Sequence, residues 1–361
     1  MYRSVWMFLA LAMTGLVALA GFAGVASASS PSAASAGSRT SGDKPLFAVQ
    51  PNPRPLVSGS EALPTWTFSF TYKGTTYDES ILGSDPAGGG TTTIPVYLIP
   101  IELIRGSDTT NPEHVLSNGL TVVQNTLNSP VFQSGVDFVQ NGTNVGKTQY
   151  IDAYQRLSFW GKVSAHPTYH VLWAKPTIEP EQTLTVPAAD GKVATSFGVK
   201  AIEVSISWFD NEIQSLITSL HVPTSAVAVF ITTQTYFLQG NTSGCCIGGY
   251  HSYNGTSVYA AFSYIQKPGA FSQDVSGLSH ELTETLNDAQ TFNNSPCGIY
   301  EVADPLEDTA NYGDYPYTLG GFTYHLQDLA TPVYFGAPAS TTLDGLDTFQ
   351  GTHLSVCQNG S

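Results

Sequence analysis

The chain has 361 residues with 13 Lys and Arg against 28 Asp and Glu, a formal net charge of -15. Phosphate binding needs a basic face, so this balance argues against nucleic acid and against anionic membrane surfaces as partners. Charged residues make up only 11% of the chain, well under the roughly 25% of an average soluble protein, a composition that suits export.

Arg3, the apolar and small-residue run 5–25 and the triplet Ala26-Ser27-Ala28 predict a secretory signal peptide over residues 1–28. Residues 29–60, rich in Ser, Ala, Pro and Gly, read as a flexible spacer or a pro-segment. No later stretch holds 18 unbroken apolar residues, so after signal cleavage no membrane span is expected and the mature chain should be secreted and soluble. Residues 61–361 are expected to form a single large domain, with an N-terminal α/β part (61–235) and a metal-site part (236–361).

The run 91–103 (TTTIPVYLIPIEL) reads as a buried strand despite its prolines. A helix is expected over 116–132, stopping near Ser129-Pro130, and another over 148–160, where Tyr150, Tyr154, Leu157 and Trp160 recur at helical spacing. Strands follow at 169–174 and 183–186, a helix centred on 211–220, and strong strands at 226–235 and 257–265. A long helix should begin near Ala270, and beyond Asp288 loops and short strands take over. Loose alternation of strands and helices predicts an α+β (mixed α/β) fold.

Four cysteines, Cys245, Cys246, Cys297 and Cys357, lie in the last third. In an exported chain they predict two disulfides that staple a loop-rich C-terminal region. A bond between neighbours is strained, so Cys245 and Cys246 are each expected to reach a distant partner.

The stretch His280-Glu281-Leu282-Thr283-Glu284 carries the chemistry. Phe271, Val275, Leu278, Leu282 and Leu286 form one apolar helical stripe. His280 and Glu284 then stand one turn apart on the opposite line, with Glu281 about 100° to the side. From Pro268 to Ser361 there are twelve Asp and Glu and no Lys or Arg, so carboxylates that become buried there need a proton or a metal. His280 and Glu284 are candidate ligands, with Glu301 or Asp304 as the third; zinc is the first choice of ion and another divalent metal the second. Glu281 would act as the base toward water on the ion, and His251 as an oxyanion stabiliser or extra ligand. A further acidic group, Asp304, Glu307, Asp308 and Asp314, suits either calcium or a solvated loop. His325 is a weaker candidate, and His114, His166, His170, His221 and His353 have no informative company. No G-x-S-x-G, P-loop or dinucleotide fingerprint occurs.

The order of secretion signal, Cys245-Cys246, Gly249-Tyr250-His251, a strand, the helix block from Ser279 to Asp288, Glu301-Val302-Ala303-Asp304 and a closing Cys357 resembles the EXORDIUM / phosphate-induced protein family. It is similar also to bacterial secreted proteins with the same H-E-x-x-E and E-x-x-D blocks, over roughly residues 232–357. The resemblance implies an extracellular, cell-wall-associated protein. It further implies a zincin-like active-site helix packed on a mixed sheet, and zinc metallopeptidase chemistry on a peptide or protein substrate. Two other readings compete: a non-catalytic cell-wall or matrix-binding protein with a structural ion, and a glycoside hydrolase using two of Glu281, Glu284 and Glu301.

Overall fold

Pro95 divides the first apolar run. Having no N–H, it cannot continue a ladder, so Thr91–Ile94 pairs in parallel with His170–Trp173 while Val96–Arg105 enters the central sheet. The structure is a computed structural model that describes residues 46–49 and 63–358. The expected signal peptide, and the 29–60 spacer apart from residues 46–49, lie outside the described residues.

The central sheet is mixed. Val96–Arg105, Val227–Thr233 and Val258–Tyr264 run parallel, Cys245–Tyr253 is antiparallel to Val258–Tyr264, and Thr235–Leu238, Val199–Ser205 and Gly191–Ser196 complete the order. It curls until it nearly closes: Arg105 Nε donates to Gly191 O at 2.8 Å, and Lys200 pairs with Asp108. Both faces are covered, which explains why these strands read as unbroken apolar runs rather than alternating ones. Val227, Val229 and Ile231 face one core, Ala228 and Phe230 the other.

Helix Ile206–Ser219 covers the second face through Phe209, Ile213 and Ile217. It starts earlier than the 211–220 centre suggests because the Ser205 hydroxyl accepts from Trp208 N (3.4 Å) as an N-cap. The helix expected over 116–132 shrinks to Val122–Leu127, since Thr121 and Gln124 form a capping box that sets its start. The 148–160 helix is Tyr150–Ser158, with Tyr154 OH donating to Ala330 O (2.7 Å). The motif helix is Ser276–Asn287. It cannot begin at Ala270, because Ser272 and Asp274 sit at φ 60° and 41°, backbone values incompatible with a right-handed helix.

The cysteine expectation is half overturned. Cys297 bonds Cys357 across 60 residues, but Cys245 bonds its neighbour Cys246 rather than a distant partner. With Cys297 and Cys357 engaged together, the adjacent pair have only each other, at the start of strand Cys245–Tyr253.

Removing the longer bridge with Cys297→Ala should lower unfolding free energy by about 4 kcal/mol, the chain-entropy value for a loop of this length. Urea unfolding followed by circular dichroism measures it.

Candidate metal centre

The motif helix is not amphipathic in its setting: all twelve residues are buried. It lies against Cys245–Tyr253 and Val258–Tyr264 on one side, and against Phe322–Gln327, Thr75–Leu82 and Tyr150–Ser158 on the others. Its polar line is accommodated by local hydrogen bonds. Thr283 Oγ1 donates to Ser279 O (2.6 Å) and Asn287 Nδ2 to Thr283 O (2.8 Å), while Gln327 N donates to Ser279 Oγ (2.9 Å). Hydroxyl and amide groups that bond back to the preceding turn can be buried cheaply.

Six side chains from three segments converge beside this helix: His251 from strand Cys245–Tyr253, His280, Glu281 and Glu284 from the helix, and Glu301 and Asp304 from the segment that follows. His280 Nε2 is 3.1 Å from Glu284 Oε2 and 3.3 Å from Asp304 Oδ1. His251 Nδ1 is 3.4 Å from Glu281 Oε2 and 3.7 Å from Glu284 Oε2, and its Nε2 is 3.8 Å from Glu301 Oε2. Two triads capable of holding an ion result, His280–Glu284–Asp304 and His251–Glu281–Glu284, each with ligand atoms within 4.8 Å of one another. Glu284 belongs to both. Its Oε1 accepts from Ala303 N (3.0 Å) and Asp304 N (3.2 Å), which turns Oε2 toward the two histidines.

Asp304 rather than Glu301 therefore stands with His280 and Glu284. Glu301 is drawn instead to the far nitrogen of His251. His251 is fully buried within strand Cys245–Tyr253. Glu307, Asp308 and Asp314 join neither triad, and Asp314 accepts from Ser276 Oγ (2.6 Å) instead.

Charge in this cluster is strained. The ion pairs of its carboxylates, among the described residues, are all with histidine. Burial works against a charge on His280, but Glu284, Asp304 and Glu281 outweigh it and hold the imidazolium well above its usual range. Burial would raise Glu284 too, yet the charge and hydrogen bond of His280 bring it below the ordinary value. Glu281 and Glu301 are pushed well up, by burial first and by neighbouring carboxylates next. Asp304 meets solvent with 41% of its side chain exposed, and desolvation of the remainder with the charge of Glu284 carries it up to about 6. His251 is driven down to about 4 by burial. Without a cation, then, the cluster keeps the His280–Glu284 ion pair, while burial favours the neutral form of His251 and the protonated forms of Glu281 and Glu301.

The residues fit a divalent ion. Both oxygens of Glu301, Oε1 of Glu281 and Nε2 of His251 are buried without a hydrogen-bond partner, and one imidazole with two carboxylates is a donor set that zinc and related ions accept.

Gly249 was not legible as part of this site. A Cβ there would lie 2.7 Å from Glu281 Oε1, 2.8 Å from its Cγ and 2.9 Å from Ala261 O, so glycine is what lets Glu281 pack against the strand. The visible signal was glycine inside a strand pattern, which marks close approach. Also unforeseen are two Asp–His pairs: His325 Nδ1 is 2.7 Å from Asp274 Oδ2, and His170 Nδ1 is 2.7 Å from Asp152 Oδ2. Both acids are buried and also accept backbone N–H groups, so they pin chain segments.

The chain matches no protein-family model, no curated protein and no solved structure.

Two outcomes follow from this geometry. Gly249→Ala should displace the Glu281 carboxylate and cost about 1–3 kcal/mol by overpacking, read as a lower urea midpoint. Glu79 is buried with neither oxygen hydrogen-bonded, and burial, Asp288 and Asp78 raise its carboxyl to about 8. A raised acid favours the folded state when protonated, so its contribution is intact below about pH 4.5 and is lost as pH climbs toward 8. Relative to wild type, Glu79→Gln should thus gain stability over that window, by roughly 2–4 kcal/mol at its top. Urea titrations at pH 4.5, 6 and 8 would detect it, and a flat difference would contradict it.

Proposed function

We propose that this chain is an exported, metal-dependent hydrolase acting on peptides. A divalent cation, zinc first, would be held by His280, Glu284 and Asp304, with Glu281 as the proton-accepting residue. The observation that carries this reading is the convergence of one imidazole and two carboxylates, ligand atoms within 4.8 Å of one another, where no Lys or Arg among the described residues pairs with the carboxylates. The imidazole in the set favours zinc over calcium, which prefers oxygen donors alone.

When bound, the cation would polarise a substrate carbonyl and acidify a water. Glu281 lies beside this triad with its Oε1 free of hydrogen bonds, and burial raises its affinity for protons, as suits a proton-accepting group. His251 Nδ1, 3.4 Å from the other oxygen, would orient that carboxylate and relay the proton. Glu301 would steady His251 from its far side rather than serve as a ligand. The backbone donors Ala303 and Asp304 fix which oxygen Glu284 presents.

The expected secretion signal and the blocks that resemble the EXORDIUM family support an extracellular setting and a cell-wall-associated peptide or protein substrate. One observation favours a second reading, a non-catalytic extracellular module with a structural ion: His251, His280, Glu281, Glu284 and Glu301 are all buried, so a substrate has no present route to them.

Purified protein should carry one zinc per chain by mass spectrometry of the metal, and Glu284→Ala should lose it. Glu281→Gln should keep the metal while hydrolysis of a peptide library falls by about 10²–10⁴. Full activity in Glu281→Gln would remove it as the base. Metal binding without hydrolysis by the wild type would favour the structural ion.

A further inference from the structure

The four-residue strand Leu46–Val49 lies parallel to Cys245–Tyr253, with Leu46 opposite Ile247, Ala48 opposite Tyr250 and Val49 opposite His251. Tyr250 and His251 pair on their other edge with Ala261 and Ala260. Without Leu46–Val49, one edge of His251 would have no strand partner among the described residues. The same short strand packs against the motif helix and against Asp304–Glu307, the elements that supply His280, Glu281, Glu284 and Asp304. It therefore adjoins all three elements that supply residues of the centre.

An unpaired strand edge takes up extended backbone by strand addition, with main-chain hydrogen bonds providing the affinity. The other walls of the centre are the motif helix and the central sheet, which belong to the buried core, and the segment with Glu301 and Asp304, which is tied to the helix through Glu284. Leu46–Val49 is different: it comes from a segment whose composition reads as a spacer or pro-segment, and its recorded pairing is with this one strand. We propose that the backbone edge of Tyr250 and His251 is a docking surface for an extended peptide. Leu46–Val49 occupies it in cis and holds the centre closed. The identity of what is closed rests on the metal-centre reading above; the docking itself rests on the strand register.

The test uses the full chain carrying Ala48→Pro and Val49→Pro together. Successive N–H groups along a strand point to opposite edges, so the double change removes whichever one faces Cys245–Tyr253. Amide exchange at Tyr250 and His251, one of whose N–H groups faces this edge, reports release of the strand. Two probes report access: the rate of zinc loss to excess EDTA, and, in metal-free protein, the rate of diethylpyrocarbonate labelling at His251 by mass spectrometry. Each should rise at least about tenfold as the local opening becomes permanent. Ala48→Gly with Val49→Gly keeps both N–H groups and should fall between wild type and the proline variant. Unchanged exchange at Tyr250 and His251, or released exchange with unchanged labelling of His251, would overturn the proposal. A wild type that binds no zinc would instead sink the metal-centre reading, while labelling of His251 would still decide the docking.

Discussion

Five acids and histidines sealed from water, with no Lys or Arg paired to their carboxylates among the described residues, are the constraint to which the rest of this molecule answers. Fully ionised, such a set would cost far more than a fold can supply. Among the described residues its charges are met by two imidazoles and two backbone amides, and burial favours the protonated forms of Glu281 and Glu301. A divalent ion would replace those protons with a charge that stays, which links metal binding to stability as well as to chemistry.

The architecture serves that arrangement. A helix buried on every side is normally apolar all round, yet this one keeps Ser279, Thr283 and Asn287 on a line by turning their donors onto its own backbone. The strand beneath gives up side-chain volume at Gly249 so that a glutamate can lie flat against it. Small residues and self-satisfied hydroxyls thereby make room for ionisable groups at the centre of a core built from Val, Ile, Leu and aromatic residues. Both cores share the sheet, so the site lies against strands that are buried on both faces.

Much of this could be read from the letters. The 3.6-residue spacing of Val275, Leu278, Leu282 and Leu286 locates the motif helix, and the absence of basic residues after Lys267 points to a cluster in need of a cation. Strands 226–235 and 257–265 are apparent from composition because burial on two faces leaves long apolar runs, with only Thr, Ser, Tyr and Gln234 as polar positions. What could not be read is set by contacts distant in sequence. The difference between Asp304 and Glu301 depends on how residues 300–304 turn over the helix, and position along the chain cannot encode that. The burial of the motif's polar face depends on strand Phe322–Gln327 and helix Tyr150–Ser158 closing over it. Pairing between neighbouring cysteines ran against local strain, and the Cys297–Cys357 closure decided it. Thr121 and Gln124 do form a recognisable capping box, so the late start of that short helix was legible in principle.

One departure from the commoner H-E-x-x-H pattern has a physical reason in the behaviour of Glu284. A carboxylate has two oxygens and about four lone pairs, enough to accept two amide protons on one side and face an ion on the other. An imidazole has two nitrogens, and a neutral ring that gives one lone pair to a metal must present N–H at the other. Placed at position 284, that N–H would point at the N–H groups of Ala303 and Asp304, donor against donor. The turn that carries Asp304 is thus anchored by the very residue it joins in the triad. Candidate ligand and scaffold are one group here, and a histidine could fill only the first of these two roles.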